Sequence, residues 1–348
     1  MSIENRIKIL DTKNMFEHLK NFPNQIIESI EIAKSSPSFN NKSNKFFLLG
    51  MGGSAIAGDL LQVYFRNSTH NFVEVFVNRN YYLMRYPDRN TNLIVSSYSG
   101  NTEETIAAYL SAKNFTNNII GITSGGRLQE ILSYDGFGTI LIPGGYQPRE
   151  ALGYSFFTLL IKILNLVSSD KDVEILQNQL HNLYHYLKSK SIEYSTFVNN
   201  PALSFAKELY NKIVILYGCE ETLFPVAMRI KAQIQENSKN LCFAGQIPET
   251  NHNEINSFMF PKDLMNRIKI ILLSDPNDHP RNQKRIEVIN SLLDNTLDIF
   301  VYQSNAEDFL MRMFDIIYFF DWVSYYLAIE NEIDPTPIPI VKQLKNRI

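Results

Sequence analysis

The chain has 348 residues, long enough for two domains and for a core that needs no disulfide or metal. Lys and Arg total 33 against 36 Asp and Glu, a net charge of −3, which argues against a strongly basic nucleic-acid binder. With 45% hydrophobic and 20% charged residues the chain reads as globular rather than disordered, and the thin charged coat leaves room for a buried subunit interface.

Residues 1–45 read as two helices and a polar loop, KSSPSFNNKSNK. The loop ends at the apolar run Phe46–Leu49, stopped by Gly50, as a buried parallel strand would be. A helix follows at 55–64. Strands are predicted at 73–77, 93–97, 119–123 and 139–142, with helices at 102–113 and 151–166. This alternation argues for an open, mostly parallel α/β sheet. A polar helical connector, 168–200, precedes a second round: strands at 213–217, 268–273 and 297–301, helices at 225–235 and 281–293. The pattern predicts two α/β units without a residue-level repeat.

The apolar stretch Phe309–Ile329 is interrupted by Arg312, Asp315 and Asp321, so a buried helix is expected there rather than a membrane span. Its many aromatics suggest core plus subunit interface. A Pro-rich turn, Asp334-Pro335-Thr336-Pro337, and a short tail close the chain. Cys219 and Cys242 are the two cysteines, with no CxxC or Cys/His cluster, which fits a reducing compartment and neither a disulfide framework nor structural zinc. No leader is read at the N-terminus, so a cytoplasmic location is expected. His181 and His185 share a helix face at i and i+4, but Asn182 stands where a zinc helix has Glu and no third ligand is signalled, so no metal is expected.

Two loops carry the signs of an anion site. Gly50-Met51-Gly52-Gly53-Ser54-Ala55 joins a strand to a helix, where glycines let N–H groups approach a ligand and Ser54 adds a hydroxyl. It lacks the GK[ST] ending of a P-loop and does not fit GxGxxG. A tight packing turn is the competing reading. Ser97-Tyr98-Ser99-Gly100-Asn101-Thr102-Glu103-Glu104-Thr105 follows a later strand, and the hydroxyls of Ser97, Ser99 and Thr102 cluster around Gly100. The loop suits a phosphate monoester, and equally a helix cap in which Glu103 and Glu104 answer the macrodipole. In an open α/β sheet, ligands sit beyond the strand C-termini.

These two loops together resemble a sugar isomerase (SIS) domain. Further blocks narrow the resemblance: Pro148-Arg149-Glu150-Ala151-Leu152-Gly153, then Arg229 to Lys239 (RIKAQIQENSK), then Pro248-Glu249-Thr250-Asn251-His252-Asn253-Glu254, then Asp334-Pro335-Thr336-Pro337 before Lys342 and Lys345. Over residues 46–345 the chain resembles the bifunctional phosphoglucose/phosphomannose isomerases.

That resemblance implies two SIS-type subdomains, each a mostly parallel sheet between helices in three layers: 1–167 with a helical extension, the connector 168–200, and 201–348. It implies reversible aldose–ketose isomerisation of glucose 6-phosphate and mannose 6-phosphate to fructose 6-phosphate, with no cofactor. The route needs ring opening and one base that moves a proton between C2 and C1 through a cis-enediolate. Glu236 is implied as that base, in place of a solvated helix carboxylate. His252 is implied in ring opening, contributed by a neighbouring subunit, so a homodimer with a shared site is expected. Arg149 is implied to stabilise the enediolate oxygen, in place of a salt bridge at a helix start. A C-terminal lysine is implied to assist ring opening. The I-x-x-L-K register favours Lys345, with Lys342 the alternative. Thr336 is implied to leave room for either C2 epimer, and Gly52, Gly53, Ser54, Ser97, Ser99 and Thr102 to hold the hexose 6-phosphate. Other SIS sugar-phosphate isomerases, or a non-catalytic sugar-phosphate sensor, are the rival readings.

Overall fold

The computed structural model describes residues 1–293 and 296–347. Two short helices open the chain, α1 (Ile3–Leu10) and α2 (Met15–Asn21). Contacts divide the molecule into two units: residues Asn21–Lys188, and Met1–Lys20 with the chain from Ser189 onward. The opening residues therefore group with the C-terminal half. Tyr318 and Tyr325 hold them there, donating to the Leu19 carbonyl (2.8 Å) and the Asp11 carboxylate (3.0 Å), while Arg6 pairs with Glu330.

The first unit runs α3 (Asn24–Ser35), β1 (Lys45–Leu49), α4 (Gly52–Arg66), β2 (Glu74–Asn78), β3 (Asn92–Ser96), α5 (Glu103–Ala112), β4 (Ile119–Thr123), α6 (Arg127–Tyr134), β5 (Gly138–Leu141), a 3-10 turn at Pro148–Glu150, α7 (Leu152–Val167) and the start of α8 (Asp170–Ser195). Its five strands are all parallel, in the order β2-β1-β3-β4-β5. Every residue of β3 and β4 is buried, as expected of a parallel sheet covered on both faces. Phe47, Leu49, Leu93, Val95 and Ile119 pack there with Ala108, Tyr109, Leu128 and Leu132.

The second unit adds α9 (Pro201–Glu208), β6 (Ile213–Cys219), α10 (Phe224–Asn237), β7 (Cys242–Ile247), three short 3-10 turns between Glu249 and Arg267, β8 (Ile268–Ser274), α11 (Pro280–Leu293), β9 (Asp298–Gln303), α12 (Phe309–Glu330) and α13 (Pro339–Lys345). Its sheet is again parallel, in the order β7-β6-β8-β9. The four strands of this sheet follow the order of the first four of the other, which has β5 in addition. A parallel sheet flanked by helices in each unit is the α/β architecture expected.

Three differences from the sequence reading are informative. Residues 1–45 hold three helices rather than two. Strand β7 was not foreseen: it is a partly exposed edge strand with Gly245 inside it, so it shows no continuous apolar run. The third difference corrects the expected role of α12. All of Phe309–Ile329 is buried within the chain, so the aromatics serve the core and leave no face for a subunit interface. No helix among the described residues is long and apolar enough to cross a membrane. The charges inside α12 are each answered: Arg312 by Asp275 at 2.8 Å, Asp315 by the Ser304 hydroxyl at 2.6 Å, and Asp321 by Arg229.

Candidate active site

The order β2-β1-β3-β4-β5 reverses direction between β1 and β3, and a crevice opens beyond the strand C-termini at such a switch point. Both suspected anion loops lie there. The first enters α4 at Gly52, Gly53 and Ser54; the second links β3 to α5 through Ser97, Ser99, Gly100 and Thr102. Ser54 joins them: its Oγ accepts from the Tyr98 N–H at 3.0 Å, and its carbonyl accepts from the Ser96 hydroxyl at 3.1 Å. Within the second loop, buried Ser97 donates to the Thr102 Oγ1 at 2.9 Å, while Ser99 is exposed. Gly100 has φ +67°, and a Cβ there would lie 1.8 Å from the Gly125 carbonyl oxygen, so both conformation and space require glycine. Thr102 caps α5 from an extended conformation without a side-chain bond to its first turn.

The turn bearing Arg149 belongs to the same unit. A Cβ on Gly53 would lie 3.1 Å from the Pro148 carbonyl carbon and 3.3 Å from the Arg149 nitrogen, so the absent side chain lets the α4 N-terminus approach that backbone. Glu150 closes the turn by accepting from the Gln147 N–H at 2.6 Å, and its carbonyl accepts from the Gln25 amide at 2.7 Å. Arg149 is 3% exposed. Tyr98 ties this segment to the second loop: its hydroxyl donates to the Pro143 carbonyl and accepts from the Tyr146 N–H, each at 3.0 Å. Sequence reasoning passed over Tyr98, although it stands inside the hydroxyl-rich motif. Seven hydroxyl and glycine positions and one guanidinium are thus carried by three loops of one unit, linked through hydrogen bonds of Ser54, Ser96 and Tyr98 to the backbone.

In the other unit, Glu236 occupies the last turn of α10, partly exposed. The helix is oriented by the rest of its motif. Arg229, Gln233 and Asn237 recur every four residues and so share one face. Arg229 and Gln233 donate to the Asp321 carboxylate at 3.0–3.1 and 2.8 Å, and Asn237 donates to the Ser324 hydroxyl at 2.9 Å. This polar seam against α12 was legible as an i, i+4, i+8 pattern and was not read as one. Glu236 lies one position off the seam, away from its center.

His252 ends the Glu249–His252 turn and is exposed. Its loop is anchored by Glu254, which accepts from buried Tyr217 on β6 at 2.9 Å; burial and that carboxylate push the Tyr217 hydroxyl pKa well up. Thr336 is buried, 7% exposed, in the Pro-rich turn. Lys342 and Lys345 both lie on α13, no residue of which is buried, so the geometry does not separate them.

The matching switch point of the second sheet, between β6 and β8, is lined differently. It carries the carboxylates of Glu221, Asp275 and Asp278, with Asp275 paired to Arg312. Cys219, Glu221 and Asp278 form the one group of three metal-ligating side chains found among the described residues. Their oxygens are engaged: Thr222 donates to Asp278, and Glu221 accepts from the His279 N–H and the Asn282 amide. His181 and His185 face each other on α8 with Nε2 atoms 2.9 Å apart.

Two family models match the chain: the SIS domain over residues 41–127, and the bacterial phospho-glucose isomerase C-terminal SIS domain over 198–348. The chain is 40% identical over 344 residues to the bifunctional phosphoglucose/phosphomannose isomerase of Caldicellulosiruptor bescii, covering 96% of this chain and 98% of that protein. It is 32% identical over 244 residues to the D-glucosamine-6-phosphate 4-epimerase of Sulfolobus acidocaldarius, covering 70% and 71%. Among solved structures, the C-terminal domain of glucosamine-fructose-6-phosphate aminotransferase from Francisella tularensis has the same fold, with a TM-score of 0.70 at 14% identity over 93% of this chain and 98% of that one. With relatedness running nearly end to end and both SIS models matched, the chain belongs to the bifunctional phosphoglucose/phosphomannose isomerase family.

Proposed function

We propose that the protein interconverts glucose 6-phosphate and mannose 6-phosphate with fructose 6-phosphate in the cytoplasm, as a homodimer. The phosphate is held by Gly52, Gly53, Ser54, Ser97, Ser99 and Thr102, through N–H and hydroxyl donors at the start of α4 and α5. His252, supplied by the partner copy, exchanges a proton with the ring oxygen or the C1 hydroxyl, and Lys345 assists. An imidazole suits this step because it gains and loses a proton near neutrality. Glu236 removes the C2 proton and returns it to C1. Arg149, always charged, meets the negative charge that grows on the enediolate oxygen. Thr336 accommodates either configuration at C2. The steps are proton transfers and need no redox cofactor.

The observation that carries this reading is the 40% identity to a bifunctional phosphoglucose/phosphomannose isomerase over 96% of this chain and 98% of that protein. A Glu236→Gln variant tests it: hexose 6-phosphate binding is retained and turnover falls by about a hundredfold to ten-thousandfold, the range for loss of a general base. Near-normal turnover removes Glu236 as the base. The epimerase relative favours a second reading, chemistry on an amino-sugar phosphate. Turnover of glucosamine 6-phosphate, with neither glucose 6-phosphate nor mannose 6-phosphate consumed, would select it.

A further inference from the structure

Lys239 follows the C-terminal end of α10, three residues after Glu236, with its backbone in the left-handed region at φ +50°. That conformation is uncommon for a side chain with a Cβ. Here it turns the ammonium toward three carbonyl oxygens: Asn237 at 3.0 Å, Asp334 at 2.6 Å and Pro335 at 3.2 Å. An ammonium carries three protons and accepts nothing, so carbonyl oxygens are suited partners for it. The last two carbonyls immediately precede Thr336. The Asp334 carboxylate tightens the same turn, accepting from the Thr336 N–H at 2.8 Å and from the Thr12 hydroxyl at 2.5 Å. Asn237 is itself fixed to Ser324 on α12.

One lysine therefore clamps the helix end bearing Glu236 to the turn bearing Thr336. We propose that Lys239 is a positioning residue whose clamp sets how evenly the site handles the two C2 epimers. The proposal rests on the reading that Glu236 is the base and that Thr336 faces C2. Glucose 6-phosphate and mannose 6-phosphate differ only at C2, where the base acts. The register between the base and the turn beside C2 then bears on their relative rates, since a misplacement of about 1 Å can cost about a hundredfold.

The test measures kcat and KM for both substrates in the wild type, Lys239→Met, Lys239→Arg, Thr12→Val and Thr336→Val, with thermal unfolding of each. Lys239→Met is expected to shift the ratio of the two kcat/KM values by about fivefold or more through kcat, the effect of misalignment at one charge-assisted contact. Thr12→Val loosens the turn from its other side and shifts the ratio in the same direction by a smaller factor, which keeps the test sound if Lys239→Met folds poorly. Lys239→Arg, which still donates to carbonyls, restores most of the wild-type ratio. A purely structural role lowers both substrates in proportion and leaves the ratio unmoved. An unchanged ratio in Lys239→Met and Thr12→Val, with Thr336→Val shifting it, overturns the clamp. An unchanged ratio in Thr336→Val overturns the reading of Thr336 instead, and the proposal with it.

Discussion

Replacing Asp321 by Ala should strip the counter-charge from a guanidinium that has no access to water. The Arg229 and Asp321 side chains are 2% and 3% exposed, and Arg229 meets the two carboxylate oxygens at 3.1 and 3.0 Å. Gln233 adds a third donor at 2.8 Å. A buried pair broken on one side costs about 3–5 kcal/mol, most of it the penalty of the charge left behind. Replacing both partners by apolar residues of similar volume is often close to neutral. The expectation is therefore asymmetric: Asp321→Ala loses about 4 kcal/mol, whereas Arg229→Met with Asp321→Leu lies within about 2 kcal/mol of wild type. Urea unfolding measures both, and the sole tryptophan, Trp322, is a fitting probe because it is fully buried beside Asp321 on α12. A loss below about 1 kcal/mol in Asp321→Ala, the range of an exposed pair, would refute the reasoning that this seam fixes α10 and the carboxylate at its end.

Two further substitutions separate stability from function. Gly53→Ala inserts a Cβ 3.1–3.3 Å from the Pro148–Arg149 backbone, while alanine loses less backbone freedom on folding than glycine does. The melting temperature should change little while kcat/KM falls about tenfold or more as the Arg149 turn is displaced; full activity would show that the turn yields without consequence. Asp278 tests the acidic switch point. Burial pushes its carboxyl up to about 6, with the nearby Asp275 charge adding to the rise, against bonds from Thr222 and the Asp275 N–H that favour the charge. The folded state then holds this proton more tightly than the unfolded chain, whose carboxyl titrates near 3.9, so this group's contribution to stability falls as pH rises from about 4 to 6, by up to about 3 kcal/mol. Asp278→Asn should flatten that part of the stability–pH curve, read from melting temperatures between pH 4 and 7; an unchanged slope would place the titration elsewhere.

How far the molecule was legible in its sequence depended on how local each signal was. The central strands of the first sheet announced themselves because a parallel strand buried on both faces must be a continuous apolar run, as at Phe46–Leu49 and Leu93–Val95. Strand β7 and helix α6 escaped because a half-exposed edge strand and a two-turn amphipathic helix carry few apolar residues in a row. The phosphate-type loops were visible because backbone geometry demands glycine and serine at fixed places, and Gly100 and Gly53 show that demand in space. The pairing of Arg229 with Asp321, of Tyr217 with Glu254, and of Tyr98 with the chain around Pro143 was not visible. Each joins residues 37 to 92 positions apart, and a single sequence does not reveal which distant polar groups meet. The apolar length of α12 was read correctly as burial, but composition alone did not distinguish a core helix from an interface helix.

A coupled assay on the purified protein shows whether a single site accepts both C2 epimers. Glucose 6-phosphate and mannose 6-phosphate are supplied separately, with EDTA present, and the appearance of fructose 6-phosphate is followed. Both substrates are expected to turn over, and both activities to be lost in Glu236→Gln. Turnover of glucose 6-phosphate alone would contradict the role given to Thr336, and turnover of neither would contradict the proposed function itself.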